Sequence, residues 1–399
     1  MISGTTPDAA LTKEAPMDLP SELTPTAPLL AVQHAARVLR GGGRVRLDAD
    51  GPVVDVVAAE ALASADGEKS GSSPPRGTLL VLTGERLRSL DLAVATDRLH
   101  LLPLARSDVT GHRIMQLADP TLVGGDAKQI LALAVPTDRA DAAAAIELCK
   151  LGGLLPAAIL LPATPADAAS ARVPVAAVQA YRRLVASSLR PASEARVPLA
   201  DAENVRIVSF RPGDGGPEQY AILVGEPERL TSPLARLHSE CFTGDFLGSL
   251  RCDCGDQLRG AIRRMAHEGG GVLLYLAQEG RGIGLTNKLR AYMLQDRGLD
   301  TVEANHHLGF GSDERDFSAA AEMLRQLGIG RVRLLTNNPA KITQLQQHGI
   351  EVVGRVPHMF GANRHNRRYL QTKAARSGHL LAVDDPDEAP AASAHRTCA

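Results

Sequence analysis

Three of the five cysteines fall within fourteen residues, in the spacing Cys241-x10-Cys252-x-Cys254. Three thiolates held that close repel one another unless a cation sits among them, so the spacing points to a tetrahedral Zn²⁺ site rather than a disulfide frame. Three protein ligands leave a fourth position. Protein fills it in a structural zinc site, whereas in a catalytic one it holds a water whose pKa falls to roughly 7. The count leans towards chemistry. His238 precedes Cys241 by three residues and also fits zinc spacing, so a closed Cys3His site is the alternative that the local pattern leaves open.

Downstream stretches suit an anion. QEGRGIG, Gln278 to Gly284, leaves a strand and enters a helix, and its glycines let backbone N–H groups approach a phosphate. It is not the dinucleotide fingerprint, because Leu285 stands where the third glycine is needed. Arg281 adds a guanidinium suited to a phosphate or carboxylate. LLTNNPAK, Leu334 to Lys341, predicts a second helix start: Asn338 can cap, Pro339 suits the first position, and Thr336 and Lys341 flank it. Plain capping would explain this segment alone; two such sites beside a metal favour a nucleotide. SDERDF, Ser312 to Phe317, predicts a third helix start with Asp313 as N-cap. Arg315 would then meet the positive end of that helix and need a compensating anion.

These residues need elements to hold them. The class is mixed α/β in two domains. Residues 1–28 read as a disordered arm and 382–399 as a disordered tail, both polar and without periodicity. A first domain spans 29–200. It opens with a helix at Leu29–Leu39, and Gly41 to Gly43 stop that helix before a strand at Arg44–Leu47. A loop at 66–77, the strand TLLVLTG, buried strands at Ile130–Val135 and Ala157–Leu161 and a helix at Ala140–Leu151 complete it. A second domain spans 205–381. Its strands are RIVSF, YAILVGE, VLLYLA, VRLLT and EVVGRV, and its helices fall at 256–267, 285–295, 314–327 and after Pro339.

With 44% hydrophobic and 22% charged residues the chain is an ordinary soluble protein. A net charge of −1 gives no field for non-specific binding to nucleic acid or anionic membranes, though a local basic site remains open. No apolar run approaches a membrane span, the first 28 residues contain no apolar signal core, and free thiolates suit a reducing cytoplasm. Cys149 reads as a small buried side chain and Cys398 as a free tail thiol.

From Val205 to Leu381 the chain resembles GTP cyclohydrolase II. RLHSECFTGDFLGSLRCDCGDQL, QEGRGIGLTNKLRAYMLQDRG, DTVEANHHLGF, SDERDF, RLLTNNPAK and GHLL stand in family order. The resemblance implies hydrolysis of GTP at guanine C8 with release of formate and pyrophosphate, the first step of riboflavin synthesis. It implies one Zn²⁺ per subunit on Cys241, Cys252 and Cys254 with water fourth, Mg²⁺ with the triphosphate, and a homodimer. It assigns Arg236, Leu237, His238, Ser239, Glu240, Gln257, Glu279, Gly280, Arg281, Thr301, Thr336 and Lys341 to GTP contacts. Asp313 matches the proton acceptor, Arg315 the residue assigned as nucleophile towards the α-phosphate, and Tyr292 a tyrosine implicated in the chemistry. A guanidinium resists deprotonation among phosphates, so an electrostatic clamp is the physically simpler role for Arg315. Ala277 departs from the arginine that many members carry, a loss of one charge expected to adjust affinity only.

The first domain resembles, more faintly, dihydroxybutanone phosphate synthase, best in AAIELCKLGGLLPAAILLP. That family's acidic metal loop is replaced by LDADGPVVDVV, and Ala140, Asp141, Ala142 and Ala143 stand where its Gly-His-Thr-Glu motif falls, which implies a domain without synthase chemistry that supports dimerisation or stability. Two alternatives differ from the leading one: a diverged relative acting in pyrimidine breakdown, and a zinc-stabilised nucleotide-binding module without turnover.

Overall fold

The computed structural model describes residues 27–49, 51, 53–63, 76–104, 111–122, 131–163, 169–361, 363–367, 371, 372 and 376. The expected arm up to residue 26, most of the loop at 66–77, the segment GHLL and the tail with Cys398 lie outside the described residues.

Helix α1 (Ala27–Arg40) buries Leu29, Val32, Ala35, Ala36 and Leu39, a single helical face. It starts two residues before the expected position. Strands β1 (Val45–Asp48), β2 (Val54–Ala58), β3 (Leu79–Thr83), β4 (Leu99–Pro103), β5 (Val135–Thr137), β6 (Ala157–Pro162) and β7 (Ala171–Pro174) form a mixed sheet in the order β5-β4-β3-β6-β2-β1-β7. Helix α2 (Gly84–Arg88) follows β3, and α3 (Gly111–Ala118) follows β4. Helices α4 (Ala140–Leu151) and α5 (Val175–Ser188) join α1 on one face of this sheet; α3 packs on the other. Cys149 is fully buried in that core, as expected.

The second sheet runs β14-β13-β11-β12-β10-β9-β8. Its strands are β8 (Arg190–Arg196), β9 (Val205–Arg211), β10 (Gln219–Gly225), β11 (Leu234–Ser239), β12 (Gly270–Leu276), β13 (Arg331–Leu335) and β14 (Glu351–Val356). Helix α6 (Cys254–His267) covers one face over Leu234, Leu273 and Leu335, with Gly271 letting it approach: a Cβ there would lie 2.4 Å from Met265 Cγ. Helices α9 (Ser318–Gln326) and α10 (Pro339–Gln347) cover the other face. Helices α7 (Gly284–Asp296) and α8 (Thr301–His307) lean on the first half, where Leu155 shares an apolar cluster with Ile283, Ala291, Leu294, Ala304, Leu308 and Phe310.

Strands β11, β12 and β13 lie parallel and adjacent. Their carboxyl ends lead into residues 239–241, 277–284 and 336–341, the crevice in which open α/β sheets place ligands.

Three expectations need correction. Residues 131–134 are not strand: the strand is β5, an exposed edge that follows a turn. The second sheet begins at Arg190, where RPASEAR pairs antiparallel with β9; a mostly exposed edge strand lacks the apolar alternation that would announce it. Residues 312–317 are not helical, and Asp313 caps no helix. The Asp316 carboxylate accepts from Ser318 N at 2.7 Å; α9 starts at Ser318 and the stretch before it is irregular. Arg315 therefore faces no helix dipole; its compensating charge is Asp313 itself.

Candidate active site

The sulfurs of Cys241, Cys252 and Cys254 lie within 4.8 Å of one another, and the Cys241 and Cys252 Sγ atoms are 3.8 Å apart. Cys241 lies two residues beyond the end of β11, while Cys254 opens α6. Gly244 folds the intervening turn onto the sulfurs: its N–H donates to Cys241 Sγ at 3.3 Å, and a Cβ would sit 2.6 Å from Cys252 Sγ. Lys288 of α7 donates from Nζ to Cys241 Sγ at 3.1 Å, to Thr243 Oγ1 at 2.9 Å and to Glu279 Oε1 at 2.9 Å. Hydrogen bonds from the other two thiols, with Lys288, hold the Cys241 thiol well below its ordinary range. The bond to Cys241, with burial, pushes Cys252 up to about 11, and the bonds to Cys241 and Cys252 raise Cys254. Convergent soft donors, an N–H and an ammonium on one sulfur, and a cradle closed to any Cβ fit a thiolate-bound zinc.

Among the described residues no His, Asp or Glu joins the three sulfurs. His238, the alternative fourth ligand, is instead engaged through Nε2 with Asp245 Oδ2 at 3.0 Å and stacks on Tyr275. Asp245 also accepts from Cys241 N at 2.9 Å and from Tyr275 OH at 3.1 Å. Burial lowers the His238 pKa, which keeps its ring neutral near pH 7, and its Nδ1 has no protein partner. An unpartnered buried acceptor beside the cleft suits a ligand N–H.

The sulfurs open onto a cleft. Arg236, Arg251, Arg281, Lys288, Arg315 and Lys341 line it against the carboxylates of Glu240 and Glu279. Six cations facing two acids make a site for a polyanion. Arg236 is buried on β11; it donates from Nη1 to Leu335 O at 3.0 Å and pairs with Gln257, and burial lowers its pKa to about 10. Lys341, in the first turn of α10, donates to Leu237 O at 2.8 Å. The turn below it is built as expected, with Asn338 Oδ1 accepting from Ala340 N at 3.0 Å and Thr336 Oγ1 from Asn338 N at 3.0 Å. Across the cleft, Gly280, Arg281 and Gly282 all have φ between 62° and 90°. For Arg281 this left-handed backbone is strained by roughly 1 kcal/mol. Glu279 supports the turn by accepting from Phe242 N at 2.7 Å and Gly280 N at 2.8 Å.

His238, Ser239, Glu240, Gln257, Glu279, Gly280, Thr301, Thr336 and Tyr292 also line the cleft, so the structure brings together all but two of the expected residues. The exceptions are Leu237 and Asp313. Strand alternation turns Leu237 to the opposite face, into the core under α9, and only its carbonyl faces Lys341. Asp313 stands at the rim, where Oδ1 accepts from Arg315 Nε at 2.8 Å and Oδ2 from Nη2 at 2.5 Å. Burial alone would raise its pKa, but Arg315 and Arg281 hold it below the usual carboxylate range. Sequence reasoning missed Lys288, Arg251, Asn305 and Asp245. Lys288 and Arg251 flank the Tyr292 ring, with the Arg251 guanidinium 4.7 Å from its centre. Lys288 was detectable: it lies four residues after Gly284, one helical turn into α7 on the side that faces the cleft.

A family model described as GTP cyclohydrolase II matches residues 190–357. Over 383 residues the chain is 48% identical to a GTP cyclohydrolase-2 of Azospirillum brasilense, covering 91% of this chain and 99% of that relative. The chain belongs to the GTP cyclohydrolase II family. A shorter family member, the GTP cyclohydrolase-2 of Citrobacter koseri, is 53% identical over 193 residues, 48% of this chain and 98% of its own length. Among solved structures, a two-domain 3,4-dihydroxy-2-butanone 4-phosphate synthase from A. baumannii covers 82% of this chain and 99% of its own at 16% identity. The TM-score of that match is 0.30.

Proposed function

We propose that the chain hydrolyses GTP at guanine C8, releasing formate and pyrophosphate and leaving the 2,5-diamino-6-ribosylamino-pyrimidinone 5'-phosphate from which riboflavin is made. The observation that carries this reading is the opening of a three-sulfur group onto a cleft with six cations. Cys241, Cys252 and Cys254 would hold one Zn²⁺. When bound, zinc supplies Lewis-acid activation of water for attack on an electrophilic ring carbon.

Arg236, Arg281, Lys341 and the turn at Thr336 receive the triphosphate, which brings its own Mg²⁺. His238 Nδ1 and Glu240 face the base edge, and Gln257 holds Arg236 in place. Arg315, shaped by its paired bonds to Asp313 and lying over the Phe317 ring, clamps the α-phosphate; Asp313 takes the proton. Tyr292 lies between two cations at the metal side of the cleft. The thiolates call for a reducing, cytoplasmic setting, and no helix among the described residues is long and apolar enough to cross a membrane. The first half is proposed to lack synthase chemistry, with Asp141 occupied by Arg139. A homodimer is the assembly the family suggests.

The test is a formate and pyrophosphate assay on the full chain with GTP and Mg²⁺, beside Cys252→Ser and a zinc-stripped sample. Both products, with formate lost when zinc is lost, support the reading. Absence of formate from the zinc-loaded chain would overturn it.

A further inference from the structure

Residues 311–317 bring Arg315 to the cleft and are held from two sides. From the second sheet, Glu314 N donates to Arg281 O at 3.1 Å, Gln278 donates to Asp316 O, and Phe317 anchors the end in the core. Gly282 lies so close that a Cβ would sit 3.0 Å from Glu314 O. His306 of α8 engages Ser312 Oγ at 3.1 Å, and from the other side the first half holds Glu314. Lys150, at the end of α4, places Nζ 2.8 Å from Glu314 Oε1, with the two side chains only 18% and 14% exposed. Arg182 of α5 donates to Glu314 O at 3.1 Å while pairing with Glu147 at 2.6 Å. The same Glu314 Oε1 accepts from Gly311 N at 2.8 Å, so one carboxylate closes the loop on itself and ties it to α4.

We propose that the first half is a positioning element for the reaction: Lys150 and Arg182 fix Glu314, and through it the neighbours Asp313 and Arg315. Among the described residues none of the first half lines the cleft, so its influence on the chemistry is indirect, and this loop is the path that reaches Arg315. Glu314 turns to the first half, while Arg315 lines the cleft and Asp313 pairs with it. A loop freed of these bonds would spend less time in the reactive geometry, and misplacement by about 1 Å can lower turnover a hundredfold. Lys150 and Arg182 are therefore positioning residues. Their effect on turnover rests on the cyclohydrolase reading; their effect on the loop does not.

The experiment uses the full chain as wild type, Lys150→Gln, Lys150→Arg and Arg182→Leu, with amide hydrogen exchange over 311–317 and steady-state formate release from GTP. For Lys150→Gln, exchange at Gly311 and Glu314 should quicken and kcat should fall about tenfold. KM for GTP should change less than about twofold, because Arg236, Arg281 and Lys341 are untouched. Lys150→Arg should restore both readouts. Unchanged exchange in both Lys150→Gln and Arg182→Leu would overturn the proposal, as would a Lys150→Arg chain no better than Lys150→Gln. Should Lys150→Gln fail to fold, Arg182→Leu carries the same comparison. Wild type that releases no formate sinks the cyclohydrolase reading, and exchange alone then decides the positioning.

Discussion

Gly244 is where the metal site tolerates least. Its missing Cβ leaves room for Cys252 Sγ, which a methyl would approach to 2.6 Å. Gly244→Ala should weaken zinc binding by about ten- to a hundredfold, read by competition with a chromophoric chelator; unchanged affinity would show that the turn yields freely. At the rim, two roles for Arg315 separate by charge. As a clamp it can be replaced in part by another cation, so Arg315→Lys should keep a measurable share of pyrophosphate release while Arg315→Ala loses about a hundredfold. A guanylyl adduct trapped on Arg315 would refute the clamp. Sequence motifs located the cleft residues well because charged side chains at the carboxyl ends of strands have little else to do. They failed at Leu237, where membership in a contacting run said nothing about which face of β11 the side chain takes.

Elements carry the next constraint. The segment after β14 returns to α6: His358 Nε2 donates to Gln257 O at 2.8 Å, and its backbone is clasped by Asn337, which accepts from His358 N at 3.0 Å and donates to His358 O at 2.6 Å. Burial, with Arg236 nearby, lowers the His358 pKa to about 4. Unfolded, this ring takes a proton near pH 6.5; folded, it does not until about pH 4. Its contribution to stability is whole above pH 6.5 and is lost as pH falls towards 4, on the order of 3 kcal/mol across that window. His358→Gln should flatten the fall of the urea midpoint between pH 6.5 and 4 relative to wild type, and parallel curves would refute the assignment. Most helices and central strands were legible from apolar period and glycine stops, as in α1 and α6. Helix α8 went unread although Asp300 and Glu303 form a capping box, because seven residues show too little periodicity. The stretch 312–317 misled for a related reason: acids before an apolar run look like an N-terminus, but here Glu314 bonds across to Lys150 of the first half, and local pattern cannot see partners more than a hundred residues away.

At the scale of the whole chain, ion pairs join the halves. Arg290 of α7 places Nη2 2.5 Å from Glu60 and Nε 3.2 Å from Asp119, all three largely buried. Arg290→Met would leave two carboxylates facing each other without a cation. We expect a loss of about 3 kcal/mol, seen as a lower urea midpoint; an unchanged midpoint would mean the pairs do little beyond offsetting their own desolvation. The nearby Leu155, wedged among apolar residues drawn from 283–310, has a further consequence in time. Synthesis runs from the amino end, so the face that bears Leu155, Glu60 and Asp119 leaves the ribosome while its cover is still unmade. At common elongation rates the gap lasts roughly ten seconds. During that interval the nascent first half presents an apolar and acidic surface to the cell, and slow codons between 155 and 310 would lengthen its exposure to aggregation.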